Sequence, residues 1–110
     1  MDADREISPQ AVHEALGRHD DFCLLDVRPA RQCAFCHIDG ALQIPLNELP
    51  ERVAVELPDK QRPIVVMCHL GISSLRGLEW LRRQGYEQVK SMAGGIDAWS
   101  QQVDESVPRY

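Results

Sequence analysis

The chain has 110 residues, of which 44% are hydrophobic and 26% charged, and its formal net charge at pH 7 is -5. This size favours one domain over residues 1–110 with a single core, and the composition is that of an ordinary globular protein. The negative charge argues against partners such as nucleic acid or an anionic membrane, because both favour basic surfaces. No apolar run approaches the roughly 18 residues of a membrane span, and the acidic N-terminus is unlike a signal or transit peptide. We therefore expect a cytoplasmic protein whose four cysteines are thiols.

Apolar periodicity, together with the positions of proline and glycine, predicts helices that alternate with strands. We expect helices over residues 9–17, 29–35, 45–57, 75–84 and 96–102. We expect strands over residues 22–27, 64–67 and 89–92, with a brief apolar segment over residues 41–44. Ser8 and Pro9 are a typical helix start, whereas Pro50 interrupts the third helix. This alternation is typical of an α/β fold with a mainly parallel sheet.

The strongest functional signal is Cys68, which follows the apolar run over residues 64–67. A short loop containing Gly71 comes next, and Ser73 and Ser74 lead into a helix. A buried strand that feeds a helix places the cysteine where backbone N–H groups and a helix N-terminus converge. Such a position favours an anion, a thiolate included, so we predict that Cys68 is a nucleophile. The alternative is an inert thiol in the core.

Two further groups of residues are expected near this cysteine. Asp26 and Arg28 lie at or just past the end of another predicted strand, and sites in parallel sheets lie at such ends. A charge pair there could order the rim of the site, in a role that is more structural than catalytic. Gly94 and Gly95 permit a tight turn and the close approach of a helix start to the Cys68 loop.

Several motifs, read together, resemble a rhodanese domain from about residue 7 to the end of the chain. In order, they are Leu25-Asp26-Val27-Arg28, His37-Ile38-Asp39-Gly40-Ala41, Ile44-Pro45, the loop from Val65 to Ser74, Gly85-Tyr86, Val89, and Ala93-Gly94-Gly95-Ile96-Asp97-Ala98-Trp99. The resemblance implies a rhodanese-like fold, in which a mainly parallel five-stranded sheet carries helices on both faces.

The resemblance also implies a sulfurtransferase, in which Cys68 carries sulfane sulfur as a persulfide. The sulfur would come from thiosulfate or from a protein or low-molecular-weight persulfide, and would pass to a thiophilic acceptor. Asp26 and Arg28 would support the site, with no metal and no organic cofactor. Expected partners are a small anionic sulfur donor, a thiol acceptor and a sulfur-relay protein. The anion-binding loop would consist of His69, Leu70, Gly71, Ile72, Ser73 and Ser74.

One position departs from the family pattern. The family loop usually reads Cys-x-x-Gly-x-Arg-Ser, and Ser73 stands where the arginine belongs. A serine hydroxyl donates a hydrogen bond but lacks the positive charge and the fixed fork of donors. We therefore expect weak use of thiosulfate, or a different donor such as a protein persulfide. The departure leaves an alternative open, namely a non-catalytic rhodanese-fold module that binds a partner or senses an anion or a redox state.

The stretch Cys33-Ala34-Phe35-Cys36-His37 matches the attachment motif of c-type haem. We reject haem because attachment of that kind needs export, and no export signal is present. Zinc bound by Cys33, Cys36 and either His37 or His69 is a second alternative, although structural zinc sites usually use two paired motifs. A redox role of the pair toward a Cys68 persulfide is a third alternative. The preferred interpretation is two packed thiols.

Overall fold

The computed structural model describes residues 4–110, and in this range five strands form one parallel sheet in the order β1-β5-β4-β2-β3. The strands are β1 (Glu6–Ile7), β2 (Cys23–Asp26), β3 (Leu42–Gln43), β4 (Ile64–Met67) and β5 (Val89–Met92). The helices are α1 (Pro9–Gly17), α2 (Ala30–Phe35), α3 (Leu49–Glu56), α4 (Ser73–Arg83) and α5 (Gly95–Gln102), with a short 3-10 helix, Leu46–Glu48, before α3. In this part of the chain, no helix has the length and apolar character that crossing a membrane requires.

The predicted α/β class and parallel sheet are confirmed, with two corrections to the elements. The strand β1 was not predicted, because Glu6 and Ile7 form no apolar pattern and become a strand only by pairing with Ser91 and Met92 of β5. Pro50 does not interrupt a helix. It lies in the first turn of α3, where a backbone N–H would have no helical partner to lose.

Helices cover both faces of the sheet, because successive residues of β4 point in opposite directions. Ile64 and Val66 pack with residues of α3 and α4 in one apolar layer, which also contains Cys68. Val65 and Met67 pack with residues of α1 and α5 in the other layer. All four residues of β4 are buried, which explains its unbroken apolar sequence.

The strand β4 lies inside the sheet, between β2 and β5. Its carboxyl end therefore meets the carboxyl ends of both neighbours at one edge. On the α3 and α4 face, Gly77 allows α4 to lie close to β4, since a Cβ atom there would come 3.3 Å from Cγ1 of Val66. The start of α4 is thus held directly above the end of β4, and Cys68 lies at this junction.

Candidate active site

Cys68 is the first residue after β4, and only 4% of its surface is exposed. Its Sγ accepts hydrogen bonds from the backbone N–H of Gly71 at 3.1 Å and of Ser74 at 3.2 Å. The hydroxyl of Ser74 lies 3.3 Å from the same sulfur. Two amides and one hydroxyl that converge on a single sulfur are an arrangement that suits a negative charge on that atom.

The loop after Cys68 also keeps free backbone donors. Within residues 4–110, the amides of His69, Leu70 and Ile72 make no hydrogen bond. Unpaired N–H groups favour a polar or anionic ligand, because no protein acceptor competes for them. The side chains of Leu70 and Ile72 are 52% and 64% exposed, so the loop presents apolar groups together with these amides.

The first turn of α5 holds the loop in place. The N–H of Ile96 donates to the carbonyl oxygen of Cys68 at 2.8 Å, and the N–H of Asp97 donates to that of His69 at 3.1 Å. Gly95 makes this approach possible, because it has a φ of +62° and a Cβ atom at this position would overlap both carbonyl groups. The close approach predicted for Gly94 and Gly95 is therefore present.

Ser91 of β5 lies behind the cysteine and was not predicted as a site residue. Its Oγ is 2.7 Å from the Oγ of Ser74, and both residues are completely buried. The two serines are 17 residues apart in sequence, and the pairing of Ser91 with Val66 brings them together. One sequence signal could have indicated Ser91. It lies two positions after Val89 on the same strand, so it points to the same inward face, where a polar residue stands out.

Asp26 and Arg28 form a buried ion pair in which Nη2 of Arg28 lies 2.6 Å from Oδ2 of Asp26. Arg28 also donates to the carbonyl oxygen of Cys36 at 2.8 Å and to the hydroxyl of Tyr110 at 2.9 Å. Burial lowers the pKa of Arg28, but the hydrogen bonds to Asp26 and Tyr110 outweigh it and raise that pKa above its usual value. Asp26 pairs with Met67 and so faces the α1 and α5 layer, whereas Cys68 faces the other. The ion pair therefore lies across the sheet from the cysteine.

Tyr110 connects this ion pair to the active-site loop, and it too was missed by the sequence analysis. Its ring stacks on the ring of His69 with the centroids 3.9 Å apart and the planes 6° from parallel. Its carbonyl oxygen lies 2.7 Å from Nε2 of His69, which must carry a proton to donate to it. The hydroxyl of Tyr110 accepts a hydrogen bond from Arg28 and donates one to Oε1 of Gln32 at 2.8 Å. Both Tyr110 and α5 thus hold His69.

With this geometry established, comparison with known proteins identifies the family. A model of the rhodanese-like domain matches residues 8–102. The chain belongs to the rhodanese-like domain family. The resemblance predicted from the sequence is therefore confirmed.

Relatives of this rhodanese-like domain include named sulfurtransferases. A sulfurtransferase of Allochromatium vinosum is 35% identical over 95 residues, which cover 86% of this chain and 87% of the relative. The adenylyltransferase and sulfurtransferase MOCS3-2 of Zea mays is 38% identical over 92 residues, which cover 79% of this chain but only 19% of the relative. The human single-domain sulfurtransferase TSTD1 superposes with a TM-score of 0.78 at 26% identity, over 88% of this chain and 96% of that one. These relatives support a role in sulfur transfer.

The loop of this rhodanese-like domain has no arginine or lysine between Cys68 and Ser74. The hydroxyl of Ser73, at the position of the family arginine, makes no hydrogen bond within residues 4–110. Arg76 follows one turn later on α4, where it is exposed and has no ion-pair partner in the described part of the chain. An incoming anion would therefore meet backbone amides and hydroxyl groups, with no fixed guanidinium.

Cys33 and Cys36 are both buried, and the four cysteines are free thiols in the structure. Burial, followed by the charge of Asp26, raises the pKa of Cys33 to about 11. Cys33 is therefore a weak nucleophile at neutral pH, because the thiolate is the reactive form. Across residues 4–110, no group of three or more histidine, cysteine or acidic side chains could hold a metal ion. These observations favour the interpretation of two packed thiols.

Proposed function

We propose that this rhodanese-like domain is a sulfurtransferase that carries sulfane sulfur as a persulfide on Cys68. The observation that carries the proposal is the set of polar groups around the buried sulfur, to which the amides of Gly71 and Ser74 donate and beside which the hydroxyl of Ser74 lies at 3.3 Å. The sulfurtransferases among the relatives support the same reaction class.

The reaction would proceed in two half-reactions that need no oxidant or reductant. The Cys68 thiolate attacks the sulfane sulfur of the donor, whose sulfur–sulfur bond breaks so that sulfite or a thiolate leaves with the electron pair. An acceptor thiolate then attacks the outer sulfur of the Cys68 persulfide, and Cys68 leaves as a thiolate. Covalent catalysis of this kind splits one transfer into two easier steps. The donors around Sγ stabilise the charge in the attacking and the leaving state of Cys68.

We further propose that the preferred donor is a persulfide and that thiosulfate is a weak donor. Thiosulfate carries two negative charges, and Ser73 supplies no charge to match them. The exposed side chains of Leu70 and Ile72 support a protein partner in the sulfur relay, because apolar groups at the mouth of a site favour contact with another protein. We place the reaction in the cytoplasm, where reducing conditions maintain free thiols, and cell fractionation would test this location.

Intact-mass measurement tests the proposed function directly. We expect the wild-type protein to gain one sulfur atom after incubation with glutathione persulfide, and to lose it to cyanide with release of thiocyanate. Cys68→Ser should gain no sulfur, whereas Cys23→Ser, which changes a buried strand residue, should still gain one. Equal retention by wild type and Cys68→Ser would contradict the proposal.

A second candidate function is a non-catalytic module that binds an anion or a partner. The observation that favours it is Ser73, which removes the charge expected of an efficient transferase loop. The same mass measurement separates the two candidates, because a binding module would retain no sulfur from any donor while still binding an anion such as sulfite at the loop.

A further inference from the structure

The two buried hydroxyl groups behind Cys68 form a chain that ends at its sulfur. Oγ of Ser91 lies 2.7 Å from Oγ of Ser74, which lies 3.3 Å from Sγ of Cys68. Ser74 and Ser91 have no exposed surface, so water does not complete their hydrogen bonding. Within residues 4–110, the Ser91 side chain makes no hydrogen bond other than the one to Ser74.

The number of protons in the hydrogen-bonded series Ser91–Ser74–Cys68 depends on whether the sulfur is a neutral thiol or an anion. With a neutral thiol, the S–H would donate to Ser74 and Ser74 would donate to Ser91. The hydroxyl proton of Ser91 would then have no acceptor among the described residues. With an anionic sulfur, Ser91 donates to Ser74, Ser74 donates to the sulfur, and every proton has an acceptor. A buried donor without an acceptor is costly, so the chain is fully satisfied only by the anion.

We propose that Ser91 is a positioning residue that orients the Ser74 hydroxyl toward an anionic Cys68 sulfur. The inference rests on the proposed function in one respect, since it takes Cys68 to be the reacting thiol. Ser91 acts through Ser74 and contacts no substrate. Between the two states the hydroxyl groups only rotate, and the thiol proton is the single proton that leaves, to solvent or to a base. The orientation helps both half-reactions, because Cys68 attacks and later departs as an anion.

Alkylation of Cys68 by iodoacetamide, followed across pH by peptide mass spectrometry, tests this role without any sulfur transfer. In Ser91→Ala we expect alkylation to be about three- to tenfold slower near neutral pH, the range expected from the loss of one neutral hydrogen bond. The rates of the variant and of wild type should converge in alkaline solution, where both sulfurs are ionised. The pH midpoint of alkylation should therefore move upward.

Further variants separate orientation from a general loss of structure. Ser91→Thr keeps the hydroxyl, whereas Ser91→Val has nearly the volume of threonine but carries a methyl group in place of the hydroxyl. Only the valine variant should therefore show the upward shift in the pH midpoint of alkylation. Ser100→Ala removes another buried serine hydroxyl, one that donates to the carbonyl oxygen of Val107, and should leave the midpoint unchanged. In a Ser74→Ala background, Ser91→Ala should have no additional effect, because its route to the sulfur is gone.

Two results would overturn the inference. One is an equal change in alkylation rate at every pH in Ser91→Ala or Ser91→Val, which would indicate altered access to the sulfur. The other is an effect of Ser91→Ala that persists in the Ser74→Ala background. Failure of the proposed function is a distinct result, because a protein that retains no sulfur from a donor can still show the shift in alkylation.

Discussion

At the scale of single residues, Ser73 determines how much charge the active-site loop offers to a substrate. The backbone donors of the loop are independent of side-chain identity, whereas a guanidinium at position 73 would add a charge and two parallel donors. The structure has room for this change at the surface, because Ser73 is partly exposed and its hydroxyl has no partner in the described residues. We therefore expect a single substitution at position 73 to change which sulfur donor the protein prefers.

Ser73→Arg should increase the kcat/KM for thiosulfate by about 10- to 100-fold, since a charge-assisted hydrogen bond contributes about 1.5–3 kcal/mol. The change for glutathione persulfide should be smaller. Steady-state formation of thiocyanate measures both. Ala54→Arg, which places the same charge on an exposed position of α3, is the matched control. An equal gain in Ala54→Arg would show that net charge, and not the loop, limits the use of thiosulfate.

The raised pKa of Cys33 predicts a pH-dependent stability in the alkaline range. Burial, then Asp26, raises its pKa from 9.0 to about 11. The folded state therefore keeps a proton that the unfolded state has lost above about pH 9, and the contribution of Cys33 is complete below that pH. Between about pH 9 and 11 the free energy of unfolding of wild type should fall by about 2–3 kcal/mol more than that of Cys33→Ala. Urea denaturation at several pH values measures the difference, and parallel curves would contradict this prediction.

At the scale of elements, the loop after β4 and the first turn of α5 form one unit. The amides of Ile96 and Asp97 bind the carbonyl oxygens of Cys68 and His69, and the contact depends on the missing side chain of Gly95. The carbonyl groups of Cys68 and His69 are thus turned toward α5. The free amides of the loop then remain available to a ligand. The glycine pair is a structural requirement of the site although it performs no chemistry.

Gly95→Ala should lower the free energy of unfolding by about 2–4 kcal/mol, because a left-handed backbone and an overlap with two carbonyl groups add up. Sulfur loading of Cys68 should also slow. Gly17→Ala is the matched control, since Gly17 has open space around its Cα and no positive φ. It should be neutral or slightly stabilising. Thermal and urea denaturation measure both variants, and similar losses in the two would contradict the role of the close approach.

The elements and residues that could be predicted are those whose cause is local. The strand β4 has an apolar sequence bounded by turn residues, and the site from Cys68 to Ser74 is one continuous stretch. The strand β1 could not be predicted, since its two residues depend on pairing with β5. Ser91 and Tyr110 were missed for the same reason. Ser91 is 17 residues from Ser74 and Tyr110 is 41 residues from His69, so only the folded chain brings each pair together.

At the scale of the whole molecule, one sheet of short strands divides the core into two apolar layers. Val66 belongs to the layer under α3 and α4, whereas its neighbour Met67 belongs to the layer under α1 and α5. The two tryptophans are divided in the same way, because Trp80 packs against the first layer and Trp99 lies in the second. Since β4 contributes to both layers, we expect the two layers to lose their order together.

Val66→Ala and Met67→Ala should each lower the free energy of unfolding. For Met67→Ala we expect a loss of about 2–5 kcal/mol, and for the smaller Val66 side chain a smaller loss. In either variant both layers should unfold in one transition, as expected of a single domain. Trp80→Phe and Trp99→Phe backgrounds let the fluorescence of the remaining tryptophan report on one layer at a time. Urea curves that separate between the two backgrounds would show that the layers unfold independently.

The contact between Tyr110 and His69 has a practical consequence for experiments on this protein. Because the backbone carbonyl of Tyr110 bonds the His69 ring, any tag or reporter joined after residue 110 would begin within one residue of the active-site loop. Such a fusion would crowd the mouth of the site and disturb the stacked rings.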